Sequence, residues 1–294
     1  MHNPEPSKDI TTSQRQARAV TTLMSRDLAE LRAKKSFICD MDGVIYHGSR
    51  LLEGVKEFVR WLQNKEKNFV FLTNSSERSP RELRQKLLRL GLDVGEEHFY
   101  TSALATAHFL SRQMPGAGVY AIGESGLLNA LYETGLTMND VEPDYVVVGE
   151  TSSFNYEKIE RAVHLIRTRG AKLVATNPDV TGPGENGIIP ACGALVAPIE
   201  MASGIKAYFV GKPNPLMMRT GLKMLGCHSS EAAMIGDRYT DLEGGKACNT
   251  KTIGVLYGYA PEGEIEACHP DFIAETVQDL YEYLLPEGVL EKLA

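Results

Sequence analysis

Cysteine is scarce in this chain, and its pattern forms no framework. The five residues Cys39, Cys192, Cys227, Cys248 and Cys268 are odd in number, scattered and without a CxxC pair. That argues against both a disulfide scaffold and a zinc site, and makes reduced thiols in the cytoplasm the expectation. Long hydrophobic stretches are missing too. No apolar run approaches the ~18 residues of a membrane span, and the N-terminus carries no apolar signal core, so no membrane partner is expected. Positive charge is in deficit, with 31 Lys and Arg against 38 Asp and Glu, a formal net charge of -7. Without a basic stripe, a nucleic-acid partner is excluded. An acidic protein that binds an anion must do so with a few local cations, so single lysines and metal sites gain weight. The seven histidines show no metal-ligand spacing, and no GxxxxGK[ST] loop occurs.

At 294 residues and 43% apolar content, the chain can bury a sizeable core without disulfides or structural metal. Residues 1–34 form an N-terminal extension. Its first dozen residues are polar, and residues 13–34 carry Ala17, Val20, Met24, Leu28 and Leu31 at steps of three and four. That stripe predicts an amphipathic helix packed on the body; contact with a second subunit, as in a homodimer, is the other use it allows. Arg15, Arg18, Arg26 and Arg32 suggest a transit peptide, but the interleaved acids Glu5, Asp9, Asp27 and Glu30 weaken that reading.

From residue 36 onward, short apolar runs alternate with helical patterns. The runs are Phe37–Cys39, Phe69–Leu72, Val119–Ile122, Tyr145–Val148, Leu173–Ala175, Tyr208–Val210, Ala232–Ile235 and Thr252–Leu256. Helical patterns fall at 54–65, 80–90, 102–112, 155–169, 213–225 and 241–247. This alternation predicts an α/β fold with parallel sheets covered on both faces. Residues 115–205 have their own strands and helices and read as an inserted cap domain, leaving 35–114 and 206–294 as the core.

Four of the runs end in chemistry-bearing clusters. These are Asp40-Met41-Asp42-Gly43, Thr73-Asn74-Ser75-Ser76, Gly211-Lys212-Pro213 and Gly236-Asp237-Arg238. Open parallel sheets bind ligands at strand carboxyl ends, near the switch in strand order, so neighbouring strands would bring these clusters into one crevice. Asp40 and Asp42 at i and i+2 would point to opposite faces of a regular strand; they serve one site only if the chain turns out of the strand, which Gly43 permits. An ordinary acidic turn would look the same. Asp237 and Asp241 lie four apart at a strand-to-helix junction, where Asp241 is equally a helix cap by type. Four carboxylates in one pocket cannot all stay ionised without a counter-cation, and oxygen ligands suit magnesium. Lys212 is either solvated or neutralises a phosphate or the nucleophile carboxylate. Thr73 and Asn74 offer a hydroxyl and backbone N–H groups to phosphate oxygens.

In this order, DMDGV, TNSS, GKPNP and GDRYTD resemble the four motifs of the haloacid dehalogenase superfamily of phosphohydrolases. YVVVGE (145–150), ATNPD (175–179), PACGAL (190–195) and VGKP (210–213) are similar to its NagD, or para-nitrophenyl-phosphatase, branch. The resemblance spans about residues 35 to 260 and departs at Ser75, where relatives often carry a second asparagine. It implies a Rossmann-like, doubly wound parallel sheet with an inserted α/β cap. Asp40 would be the nucleophile that forms an aspartyl phosphate, and Asp42 the acid/base. Magnesium would be held by Asp40, the Asp42 carbonyl and Asp237, with Asp241 in support. Thr73, Asn74 and Lys212 would hold the phosphoryl group. Cap contacts to the leaving group are sought in the turns bearing Asn177, Asp179 and Cys192-Gly193, where ordinary loop chemistry is the competing reading.

The expected substrate is a small phosphorylated metabolite, nucleoside monophosphates first, with sugar phosphates, phosphoglycolate and pyridoxal phosphate as alternatives. A non-hydrolytic phospho-ligand binding protein and a phosphotransferase or mutase are the readings of another class. Gly182–Gly187 formally matches GxGxxG but runs into Ile188-Ile189-Pro190 and contains Pro183, so a turn or cap loop is expected there rather than a dinucleotide site. Cys39 reads as a packing position, and His47 as a loop residue at the entrance.

Overall fold

A computed structural model describes residues 28–64, 67–184 and 187–285. The strands in chain order are β1 (Ser36–Cys39), β2 (Tyr46–His47), β3 (Arg50–Leu51), β4 (Asn68–Thr73), β5 (Phe99–Thr101), β6 (Gly118–Ile122), β7 (Thr137–Met138), β8 (Tyr145–Val148), β9 (Lys172–Ala175), β10 (Thr181–Gly184), β11 (Gly187–Pro190), β12 (Tyr208–Phe209), β13 (Ala232–Gly236), β14 (Lys251–Val255) and β15 (Phe272–Ala274).

Six strands form a parallel core sheet in the order β15-β14-β13-β1-β4-β5. The chain winds outward from β1 through β4 to β5, then resumes beyond β1 with β13, β14 and β15. Strand order therefore reverses between β1 and β13, which places the switch-point crevice at their carboxyl ends. Alternate residues along the strands feed different packing layers. Phe37, Cys39, Phe69, Phe71, Ala233 and Ile235 belong to one buried cluster; Ile38, Val70, Leu72, Ala232 and Met234 belong to another. Both faces are apolar because helices cover both, which is why these strands read as continuous hydrophobic runs.

Each covering helix follows from its local sequence. Val55–Asn64 buries Val55, Phe58, Val59 and Leu62, the 3–4 spacing of a one-sided helix. Pro80–Arg89 starts on a reciprocal capping box between Ser79 and Glu82, which satisfies two otherwise orphaned N–H groups.

Between β5 and β13 lies a second parallel sheet of five strands, β12-β9-β8-β6-β7. It is the inserted cap. The second core cluster continues into it through Val119, Tyr145, Val147 and Val174, so the two sheets share packing. The cap sheet runs on to Phe209, so the boundary expected at residue 205 stops short of its last strand. Tyr208 and Phe209 thus pair within the cap sheet, while Val210 packs in the cluster shared with the core strands. The helix expected at 213–225 begins at Pro215, with Asn214 as its N-cap.

Several cap elements were not visible as patterns, among them strand β7 and the helix Ser125–Glu133. Helix Cys192–Ser203 contains Pro198, whose missing N–H argues against a helix interior, yet Cys192, Val196 and Ile199 bury one stripe in the cap core. Packing there overrides propensity. The GxGxxG-like segment is an antiparallel hairpin of β10 and β11. The N-terminal helix expected over 13–34 lies outside the described residues up to 27. Its end, 28–32, is helical, Leu31 is buried in the core, and Arg32 donates to the carbonyls of Tyr283 and Glu282, as packing on the body requires.

Candidate active site

β1 ends at Cys39, and the next four residues leave the sheet. Gly43 adopts φ +89°, and a Cβ there would lie 2.0 Å from Asp237 Oδ2. Only glycine lets this turn close on the neighbouring strand end. Past this turn the Tyr46 side chain lies within electrostatic reach of both Asp42 and Asp40. Asp40 is buried. Asp42 is half-buried and accepts a hydrogen bond from the Tyr46 hydroxyl at 3.2 Å.

β13 ends with Gly236-Asp237, and helix Tyr239–Ala247 begins at once. Asp241, at the third position of that helix, caps it by accepting from Arg238 N–H at 3.1 Å. The same carboxylate accepts from Lys212 Nζ at 2.6 Å. The cap role and the site role are both realised by this one side chain.

Lys212 arrives from the cap. Three core strand ends, those of β1, β4 and β13, are neighbours as anticipated; the fourth cluster follows β12 of the cap sheet instead. Its ammonium is 2% exposed and donates to Asp40 Oδ1 at 2.5 Å, Asp241 Oδ1 at 2.6 Å and the Leu72 carbonyl at 2.8 Å. Three donors meet three acceptors, so the charge is fully satisfied. Burial alone would discharge the amine, but Asp241 and Asp40 outweigh it and hold it protonated.

The carboxylates feel the opposite pressure. Burial raises Asp40 well above its ordinary range; Lys212 offsets part of this, and Asp241 and Asp237 add to it. Burial, reinforced by Asp241, pushes Asp237 to about 7. Asp42 is raised by burial too, against Lys86 and Tyr46. Single oxygens of Asp40, Asp237 and Asp241 lie within 4.8 Å of one another. Asp237 Oδ2 accepts from the Tyr259 N–H at 2.6 Å, whereas its Oδ1 is buried with no partner. A buried, unpaired carboxylate oxygen among hard oxygen ligands is the donor set a small divalent cation takes, so the residues fit a metal.

Thr73, at the end of β4, accepts from Ser75 N–H at 3.0 Å through its hydroxyl oxygen, keeping its own O–H as a donor. The Asn74 side chain is already engaged. Its amide donates to the Lys212 carbonyl at 3.0 Å and to Asp179 Oδ2 at 2.8 Å, while its oxygen accepts from Lys212 N–H at 2.8 Å. It therefore orients Lys212 rather than facing a free ligand.

The cap candidates divide. Asp179, half-buried, bonds to Asn74. Asn177 is fully buried, and its amide N–H₂ serves Asn74 O and Glu150 Oε1, so those donors are committed within the protein. Cys192 is buried against the Val148 carbonyl. His47 packs at a tilt of 38° on the Tyr259 ring, with centroids 4.6 Å apart; the Tyr259 N–H is the one that Asp237 accepts. Cys39 is buried, and burial raises its thiol far out of reactive range.

Tyr46, Tyr259 and Glu150 fall outside the four strand-end clusters, and Ser76 lies within one of them without an assigned role. Glu150 carries a signal of the same kind, as a polar residue just past an apolar strand.

A switch-point crevice with paired aspartates on one strand end, a buried lysine and two further carboxylates from the next strand end defines a haloacid dehalogenase-type hydrolase. Two family models match the chain: haloacid dehalogenase-like hydrolase over residues 37–137, and a HAD-hydrolase-like model over residues 209–280. Dihydroxyacetone phosphatase of Corynebacterium glutamicum is 41% identical over 248 residues, 83% of this chain and 90% of that protein. Ribonucleotide monophosphatase NagD of Escherichia coli is 39% identical over 84% of this chain and 98% of its own; its solved structure superposes with a TM-score of 0.77. Acid sugar phosphatase of Staphylococcus aureus is 38% identical over 80% of this chain and 92% of its own. The chain belongs to the haloacid dehalogenase superfamily, as a phosphatase of its NagD-like branch.

Proposed function

We propose that the protein is a Mg²⁺-dependent phosphomonoesterase that hydrolyses small phosphorylated metabolites, nucleoside monophosphates foremost, through an aspartyl-phosphate intermediate. The observation that carries this reading is the buried set of Asp40, Asp237, Asp241 and Lys212, with Asp42 alongside. An Asp40 oxygen attacks phosphorus as the bond to the leaving oxygen breaks. Asp42 delivers its proton to that oxygen. In the second step Asp42 takes a proton from water, whose oxygen attacks phosphorus, and the Asp40 carboxylate is regenerated as phosphate departs. Splitting the displacement replaces one hard step by two easier ones. Asp40, the Asp42 carbonyl and Asp237 would hold Mg²⁺, with Asp241 in support; when bound, the ion supplies positive charge against the phosphoryl oxygens. Lys212 fixes the Asp40 carboxylate and adds charge, and Thr73 with the turn at Asn74 receives phosphoryl oxygens. Phosphoryl transfer depends mostly on such positioning and charge.

The cap, inserted between β5 and β13, covers the crevice and screens the leaving group, as Asp179 against Asn74 supports. Nucleotides, sugar phosphates and triose phosphates are the first substrates to compare, since the similar proteins are named for such compounds. The test is Mg²⁺-dependent phosphate release from para-nitrophenyl phosphate. Wild type is expected to release phosphate and Asp40→Asn to abolish release. Unchanged release by Asp40→Asn would remove the nucleophile assignment, and no release by wild type from any phosphomonoester would favour a binding or transfer role.

A further inference from the structure

Glu150 is a cap residue whose side chain is committed to the core. It follows β8 and Gly149. Its Oε2 accepts from the Ser76 N–H at 2.8 Å and from the Ser76 hydroxyl; its Oε1 accepts from Asn177 Nδ2 at 2.6 Å. The contact is reciprocal, because Glu150 N–H donates to Ser76 Oγ at 3.0 Å. Ser76 and Asn177 are both fully buried. A Cβ on Gly149 would lie 2.7 Å from Ser76 Oγ, so the two segments cross this closely only over glycine. Burial raises the Glu150 carboxyl, and the bonds from Ser76 and Asn177 work against that rise.

Ser76 closes the turn that begins at Thr73. The middle of the turn is held from the same side, since Asn177 Nδ2 donates to the Asn74 carbonyl at 2.8 Å. Asn74 in turn holds the Lys212 backbone through two hydrogen bonds, and Lys212 holds Asp40. A continuous chain of contacts therefore runs from Glu150 through the turn to the carboxylate at the centre of the site.

We infer that Glu150 is a positioning residue for the phosphoryl pocket, clamping the turn Thr73–Ser76 from the cap side irrespective of which leaving group is bound. This rests on the phosphatase reading of that turn. It separates two tasks within the cap: Glu150 sets the geometry at phosphorus, and the leaving group is read elsewhere.

Glu150→Gln replaces an acceptor oxygen with an N–H₂ group that must face the donors of Ser76 or Asn177. Small misplacements of positioning groups cost about 10²-fold. The expected result is a fall of about that size in kcat/KM, equal for para-nitrophenyl phosphate and a nucleoside monophosphate, with a parallel rise in the inhibition constant of orthophosphate. Ser76→Ala should show the same pattern alone and add little in the Glu150→Gln background. A loss confined to one leaving group would make Glu150 a substrate contact and overturn the inference. So would additive losses, or a lowered thermal midpoint with kcat/KM and phosphate inhibition unchanged. Amide hydrogen exchange at residues 75–78 reads the clamp without turnover. Faster exchange in both variants is expected, and unchanged exchange would overturn the clamp by itself. Absence of wild-type turnover on every phosphomonoester would instead count against the phosphatase reading.

Discussion

At the scale of single residues, the site concentrates like charges and depends on cations to hold them. Asp42 lies beside the cluster rather than in it, with Tyr46 as its hydrogen-bond partner, so its removal should spare the pocket and damage only proton transfer. Asp42→Asn is expected to lower kcat by about 10²–10⁴-fold while orthophosphate still binds, as steady-state kinetics with phosphate inhibition would show. Asp237 predicts a pH dependence for the metal. Its carboxyl titrates near 7 without a cation, so below that pH protons compete for the ligand oxygen. Titration calorimetry should find Mg²⁺ bound more tightly at pH 8 than at pH 6, with more protons released on binding at pH 6; equal affinities would contradict the assignment of Asp237. These residue types could be read from the sequence, but their partners could not. The Asn74 side chain, for example, binds Lys212 and Asp179, a contact across 138 positions for the first and 105 for the second, which leaves only its backbone N–H for the expected phosphate contact.

At the scale of elements, strand ends and helix starts do most of the positioning, and β14 shows how one carboxylate secures such a join. Asp271 accepts from Thr252 N–H at 2.9 Å and Thr252 Oγ1 at 3.0 Å, and pairs with Lys251 at 3.1 Å. Burial works against its charge, but these partners win and hold it below the ordinary carboxylate range. A carboxyl lowered on folding contributes stability above its unfolded value, about 3.9, and loses it as pH falls through the folded value. Asp271→Ala should therefore cost about 0.5–1 kcal/mol at pH 7, the size for solvent-screened partners, with the gap narrowing in acid below pH ~4, measured by urea unfolding across pH. The central strands of both sheets were legible because burial on two faces makes their runs continuous; the outermost strands β5, β7 and β15, at sheet edges and only two or three residues long, left no such run. The helix Cys192–Ser203 was not legible, because Pro198 contradicts it locally and only the packed stripe of Cys192, Val196 and Ile199 compensates.

At the scale of the whole molecule, one buried cluster spans core and cap, joining Ile38, Leu72 and Met234 to Leu127, Val147 and Val174. Shared packing couples the stability of the two sheets. Leu127, fully buried on a helix of the cap, should when changed to alanine cost about 2–5 kcal/mol and lower one transition rather than split it. Calorimetry would show this as agreement between calorimetric and van't Hoff enthalpies; a separate early transition would show that the cap unfolds alone.

The sequence by itself determined the α/β class, the strand-end positions of Asp40, Asp42, Thr73, Lys212 and Asp237, and the haloacid dehalogenase resemblance. These follow from local pattern: hydrophobic period, turn chemistry and motif order are all written within a few neighbouring residues. Only the tertiary structure decided that Lys212 enters from the cap sheet, that Asn177 is buried in a junction, that Asp241 serves the helix and the lysine together, and that Glu150 reaches Ser76. Each of these depends on which distant segments meet, and a hydrogen bond between residues 74 positions apart leaves no periodicity in the chain from which it could be read.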